Sequence, residues 1–279
     1  VFVGLLFAAV ADGQFRKTFC GMRVGTDGAV WVSRWCRRIM RAMGLDCVVE
    51  GPVPDAGDGM LAVVANHLSY LDILAMASVR PFVMVSKIEV RGWPLLGWIT
   101  AQAGTVYVQR ADVKGGQTQT HAEVNAMMAE AFRSGLPVLF YPEGTTTGGE
   151  TVLPFRRGLF NAVMHDRVPV RTAALAYEID PSNAGVTVAD DVCFVGDAEF
   201  GPHLFNALGL RSVKARIRFG AEEIAGRDRF ELAVNARDSV IALYEELSCV
   251  SGIERGVEFP RAQQRLLAEV EDLAGVGSR

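Results

Sequence analysis

The chain lacks the usual marks of redox, metal or nucleotide chemistry. Its 279 residues include only five cysteines, Cys20, Cys36, Cys47, Cys193 and Cys249. None stands in a C-x-x-C pair. An odd, scattered set reads as unpaired thiols in a reducing compartment, not as a disulfide framework. The four histidines, at 67, 121, 165 and 203, are too far apart for the paired spacing of a structural zinc site, so no metal is expected. No G-K-[S/T] follows the pair Gly148-Gly149, which excludes a P-loop. There is no G-x-S-x-G elbow, which weakens any serine-hydrolase reading. An excess of basic residues is also missing. The net charge of −4 argues against a nucleic-acid partner. Neither an internal repeat nor a low-complexity linker is present. Residues 1–10 are apolar but fall short of the roughly 20 that a membrane-spanning helix needs. They read either as the tail of a longer hydrophobic segment or as a short interfacial or packed helix.

What is present is a folding composition, with 50% apolar and 22% charged residues. The length allows one large core or two small domains. Before Asp46 most charges are basic: Arg16, Lys17, Arg23, Arg34, Arg37, Arg38 and Arg41, against Asp12 and Asp27. Arg34, Arg37, Arg38 and Arg41 share one face of a helix. Trp31, Trp35, Ile39 and Met43 repeat every four residues on another face. A basic face, an apolar face and two tryptophans suit a helix lying in an anionic membrane surface. The plainer alternative is a surface helix docked on its own domain.

Farther along, apolar runs alternate with helical patterns. Strands are predicted at 47–50, 61–65, 82–85, 105–108, 137–141 and 168–177, with two more β-like stretches inside 186–219, one of them 213–219. Helices are predicted at 69–78, 117–132, after Pro154, at 229–247 and at 260–273. Such alternation implies an α/β fold: a mixed, largely parallel sheet flanked by helices. The simplest division is an N-terminal amphipathic helical appendage over 1–44 and one α/β domain over 45–279, with its motif-bearing core at about 45–180.

Three runs carry chemistry. In Asn66-His67-Leu68-Ser69-Tyr70-Leu71-Asp72, the histidine and aspartate would lie about 140° apart on an ideal helix. They meet only if His67 sits in the strand-to-helix turn and Asp72 in the first helical turn. Asp72 would then fix the tautomer of His67 and leave the other ring nitrogen to accept a proton. The plain alternative is a capping box between Ser69 and Asp72. Arg110, after a run beginning at Gly104, and Lys87, after the strand at 82–85, are candidate anion contacts. Either also reads as an ordinary solvated cation. In Tyr141-Pro142-Glu143-Gly144-Thr145, Gly144 permits a tight turn, Thr145 adds a hydroxyl and Glu143 an acceptor. A plain loop fits this run equally well. The apolar stretch at 93–99 reads as an acyl-channel lining, a lipid contact or core.

Together these pieces resemble the glycerolipid acyltransferase family that includes 1-acylglycerol-3-phosphate acyltransferases. Its H-x4-D motif matches His67 and Asp72. Its G-x-x-[FY]-[IV]-x-R motif matches Gly104, Tyr107, Val108 and Arg110. Its [FY]-P-E-G-T motif matches the run from Tyr141 to Thr145, and a Val-Pro-Val block matches Val168, Pro169 and Val170. Many members place Arg after E-G-T. Thr146 and Thr147 stand there instead, as in a subgroup that also acts on other lysolipids, including lyso-ornithine lipid. The resemblance implies acyl transfer from acyl-CoA or acyl carrier protein to the sn-2 hydroxyl of lysophosphatidate, giving phosphatidate, with no cofactor beyond the thioester co-substrate. His67 would be the base and Asp72 its orienting acid. Arg110 and Lys87 would hold phosphate, and Glu143, Gly144 and Thr145 would position the glycerol part. The expected partners are the lipid acceptor, the acyl donor and a membrane surface on the cytoplasmic face. A hydrolase that gives the acyl group to water, or a lipid-binding module without catalysis, are the other readings.

Overall fold

The computed structural model describes residues 2–55, 60–109, 119–196 and 198–251. In chain order the elements are α1 (Phe2–Phe19), α2 (Thr26–Ala42), β1 (Leu45–Glu50), β2 (Ala62–Ala65), α3 (Leu71–Val79), β3 (Val83–Lys87), α4 (Leu96–Gln102) and β4 (Val106–Val108). They continue with α5 (His121–Phe132), β5 (Val138–Phe140), α6 (Gly158–His165), β6 (Val170–Ile179), α7 (Phe200–Ala207), β7 (Val213–Phe219) and α8 (Arg229–Ser251). The strands form one sheet in the order β1-β7-β6-β2-β5-β3-β4. Every pairing is parallel except β6 with β7. The sheet is therefore mixed and largely parallel, as the alternation of strands and helices implies.

Strand β2 lies at the centre, and all four of its residues are buried. Alternation along it feeds two cores. Val63 and Ala65 join an apolar cluster with residues of α1, α2 and α3, while Ala62 and Val64 join one with α5, α6 and α8. Fully burying a Val or Leu side chain stabilises by roughly 1.5–3 kcal/mol, so these two layers supply most of the drive to fold.

Helix α5 starts at His121, later than the expected 117, because the cap is Thr120. The Thr120 hydroxyl accepts the Glu123 N–H, and the Glu123 carboxylate accepts the Thr120 N–H at 2.7 Å. The expected strand between residue 186 and β7 does not form. A short π-helical turn, Val188–Val192, stands there. The Thr187 hydroxyl accepts the Asp190 N–H, and the Asp191 carboxylate accepts the Thr187 N–H, which gives the backbone a local alternative to a ladder. The helix expected at 260–273 lies outside the described residues.

The basic helix is also placed differently from a membrane-lying one. Its arginines at 34, 37, 38 and 41 are exposed, but Trp31, Trp35, Ile39 and Met43 are buried. Both indole N–H groups donate to one oxygen of Asp12 on α1, each at 2.9 Å. Arg16 holds the other oxygen at 2.9 Å. Helix α1 thus covers the tryptophans, which are unavailable to lipid. The apolar face of α2 belongs to the same cluster as the sheet. Among the described residues, no helix is long and apolar enough to cross a membrane.

Candidate active site

Strands β2 and β5 are parallel neighbours in register, with Val64 opposite Phe140. Their carboxyl ends therefore emerge side by side, where α/β sheets commonly bind ligands. The chain must leave β2 sharply to bring His67 there, and Asn66 makes that possible. Its side chain donates to the Leu175 carbonyl at 2.9 Å and accepts the Leu175 N–H at 2.8 Å. The side chain thus continues the ladder to β6 while the backbone turns away. Sequence reasoning passed over Asn66 because its partner lies 109 residues away.

The turn delivers His67 Nδ1 to 2.7 Å from Asp72 Oδ2. The same oxygen accepts the N–H groups of Leu68 at 2.7 Å and Ser69 at 3.0 Å. The pair is therefore not a capping box through the serine hydroxyl. Ser69 Oγ has no hydrogen-bond partner among the described residues. A carboxylate only accepts, so Nδ1 carries the proton and Nε2 keeps its lone pair. His67 is 18% exposed and Asp72 0%. Nε2 makes no hydrogen bond among the described residues, which leaves it open to a substrate proton.

The turn after β5 closes over this pair. The Tyr141 ring stacks on the imidazole, with centroids 4.2 Å apart and planes 13° from parallel. One Glu143 oxygen accepts the His67 N–H and the other the Leu153 N–H, both at 2.7 Å. Glu143 is only 3% exposed. It therefore braces the His67 turn from inside and does not present itself to a hydroxylated substrate, as the sequence suggested it would. Burial pushes its carboxyl up to about 8, although both N–H groups pull the other way. Gly144 has φ of 73°, and a Cβ there would lie 2.6 Å from Nε of Arg156. The turn thus needs glycine for its conformation, while the exposed Arg156 side chain could move aside for a Cβ. Thr145 is half-buried beside it. The Thr147 N–H donates to the His67 carbonyl at 2.9 Å. The Thr146 hydroxyl is turned away, onto the carbonyl of Phe194.

Lys87 ends β3, two strands from β2 on the same sheet edge, and is exposed. Arg110 lies outside the described residues; Gln109, just before it, follows β4 at that edge. Arg156 was not singled out from sequence. It is exposed, and its guanidinium lies against Gly144. No simple spacing rule would have found it, since it follows a loop.

A family model described as Acyltransferase matches residues 48–176. A lyso-ornithine lipid O-acyltransferase of Pseudomonas aeruginosa is 33% identical over 213 residues, covering 75% of this chain and 77% of that protein. A 1-acyl-sn-glycerol-3-phosphate acyltransferase of Neisseria meningitidis is 30% identical, covering 74% and 78%. A crystal structure of the 1-acyl-sn-glycerophosphate acyltransferase PlsC from Thermotoga maritima is similar in fold, with TM-score 0.57, 19% identity and 89% of each chain covered. The chain belongs to the acyltransferase family that acts on glycerolipids and other lysolipids.

Proposed function

We propose that this acyltransferase moves a fatty acyl group from acyl-CoA or acyl carrier protein to the sn-2 hydroxyl of lysophosphatidate, giving phosphatidate. The observation that carries the reading is the His67–Asp72 pair, with Nε2 open at the carboxyl ends of β2 and β5. Nε2 takes the hydroxyl proton as the oxygen attacks the thioester carbonyl. Asp72 steadies the imidazolium that forms. The carbon–sulfur bond then breaks, and the thiolate receives the proton. The nucleophile comes from the lipid, so no acyl-enzyme forms. Lys87, Arg110 and Arg156 are the cations proposed for the phosphate.

A second acceptor, lyso-ornithine lipid, is favoured by one feature: Thr146 puts no charge where many relatives carry Arg, and its hydroxyl faces Phe194. The deciding assay offers purified protein a long-chain acyl-CoA with lysophosphatidate and lyso-ornithine lipid in parallel. Phosphatidate is the expected product. Product from lyso-ornithine lipid alone removes the phosphate assignment and keeps the base. Fatty acid released equally without any lysolipid would show a hydrolase.

Membrane association at the cytoplasmic face is part of the same proposal. Its support is α1, where Val3, Phe7, Phe15 and Phe19 are 59%, 60%, 57% and 73% exposed, with Lys17 beside them. Phe7→Ser combined with Phe15→Ser is expected to cut co-flotation with anionic phospholipid vesicles severalfold while Tm holds. Unchanged flotation would move the membrane contact elsewhere.

A further inference from the structure

Tyr177 sits on β6 in phase with Ala173 and Leu175, pointing to the face that carries α3. It is 1% exposed and packs within an apolar cluster. Its hydroxyl nevertheless donates to Asp72 Oδ1 at 2.7 Å. The three other donors of Asp72 all meet Oδ2. Tyr177 therefore makes the one hydrogen bond to Oδ1 seen among the described residues. The contrast with Tyr141 is informative, because its buried hydroxyl finds no partner among those residues. Burial, then the adjacent Asp72 carboxylate, push the Tyr177 phenol well above its ordinary range, so it stays a donor throughout the working pH of an enzyme.

We propose that Tyr177 is a positioning residue of the transfer site: its hydroxyl holds the second oxygen of Asp72 and so sets how strongly that carboxylate pulls on the Nδ1 proton of His67. A donor on Oδ1 disperses negative charge away from Oδ2 and fixes the carboxylate plane. Removing it concentrates charge toward the imidazole and favours the imidazolium. Among the described residues, the other titratable groups that act on the pair include Tyr141 and Glu143, from the turn after β5, and Cys193, from the β6–β7 connection. Arg237 of α8 faces Glu143 from behind. All of these are left in place by a change at 177.

The inference rests on the reading of His67 as the base, yet its test does not need turnover, so the two fail separately. The imidazole of His67 is titrated by NMR in labelled protein. Its signal is assigned among the four histidines by its loss in His67→Gln. Tyr177→Phe is expected to raise the midpoint by about half a pH unit or more. 3-Fluorotyrosine at 177, a stronger donor of the same shape, is expected to lower it. In turnover, Tyr177→Phe should move the acid limb of the kcat–pH profile upward by the same amount, with little change in the lysolipid KM. A merely structural tyrosine would lower Tm and leave every midpoint where it was, and that result would overturn the proposal. If Tyr177→Phe does not fold, the fluorotyrosine protein decides alone: a lowered midpoint supports the role and an unmoved one ends it.

Discussion

His67→Ala lowers turnover by at least about 10²-fold, the lower end for loss of a positioned general base. The fold should survive the change. His67 is 18% exposed, and Asp72 keeps its bonds from Leu68, Ser69 and Tyr177 when the imidazole goes. Glu143 and Thr147 grip the backbone of residue 67 and not its side chain, so the turn itself persists. The loss should therefore fall on kcat, with circular dichroism and Tm close to those of the parent. Near-parental turnover in a folded His67→Ala protein would remove the base mechanism altogether. What activity remains would come from holding donor and acceptor together.

Asp72 gives the second large effect, and two substitutions separate its two roles. Asp72→Asn can keep the geometry. The amide oxygen can take the donors now on Oδ2, while the amide nitrogen donates to the Tyr177 oxygen. What it cannot keep is the negative charge that steadies an imidazolium. Turnover should fall by about 10² or more while Tm drops little. Asp72→Ala instead strands two backbone N–H groups and the Tyr177 hydroxyl in a site that is 0% exposed. Each unsatisfied buried group costs about 1–3 kcal/mol, so a destabilisation of about 3 kcal/mol or more is expected. Urea denaturation of both variants is the check. If Asp72→Asn and Asp72→Ala lose stability equally, the carboxylate's hydrogen bonds do not hold this turn.

Much of the site was legible because its parts are local. The strand ends before His67 and Glu143, the glycine at 144 and the spacing to Asp72 are all written in short runs. Parallel pairing then brings them together with no further information. What was not legible depends on distant partners. Nothing near Asn66 says that it will extend a ladder to Leu175, and nothing near Tyr177 says that its hydroxyl will meet Asp72. Glu143 carries the right chemistry for a substrate contact, but its direction is decided by which N–H groups surround it once both turns have formed. The basic helix teaches the same point. Its periodicity defines an apolar face without saying what will cover it. The answer was α1, through a single carboxylate. The missing strand before β7 is different in kind: Thr187, Asp190 and Asp191 satisfy the backbone locally, and such competition is visible in sequence when polar residues cluster.

The link between Asp12 and the two indoles has an optical consequence. All the tryptophans of the chain are Trp31, Trp35, Trp93 and Trp98, and Trp31 meets Trp98 edge to face at 5.9 Å. Lifting α1 would expose indoles that are now dry and deprive two of them of an anionic acceptor. Burial raises the Asp12 carboxyl, but the bonds from Trp35, Trp31 and Arg16 outweigh it and hold it below its usual range. The clasp is therefore intact at neutral pH and weakens only as pH falls through that lowered value. Native emission colour thus reads out whether the first helix is seated, without any label attached.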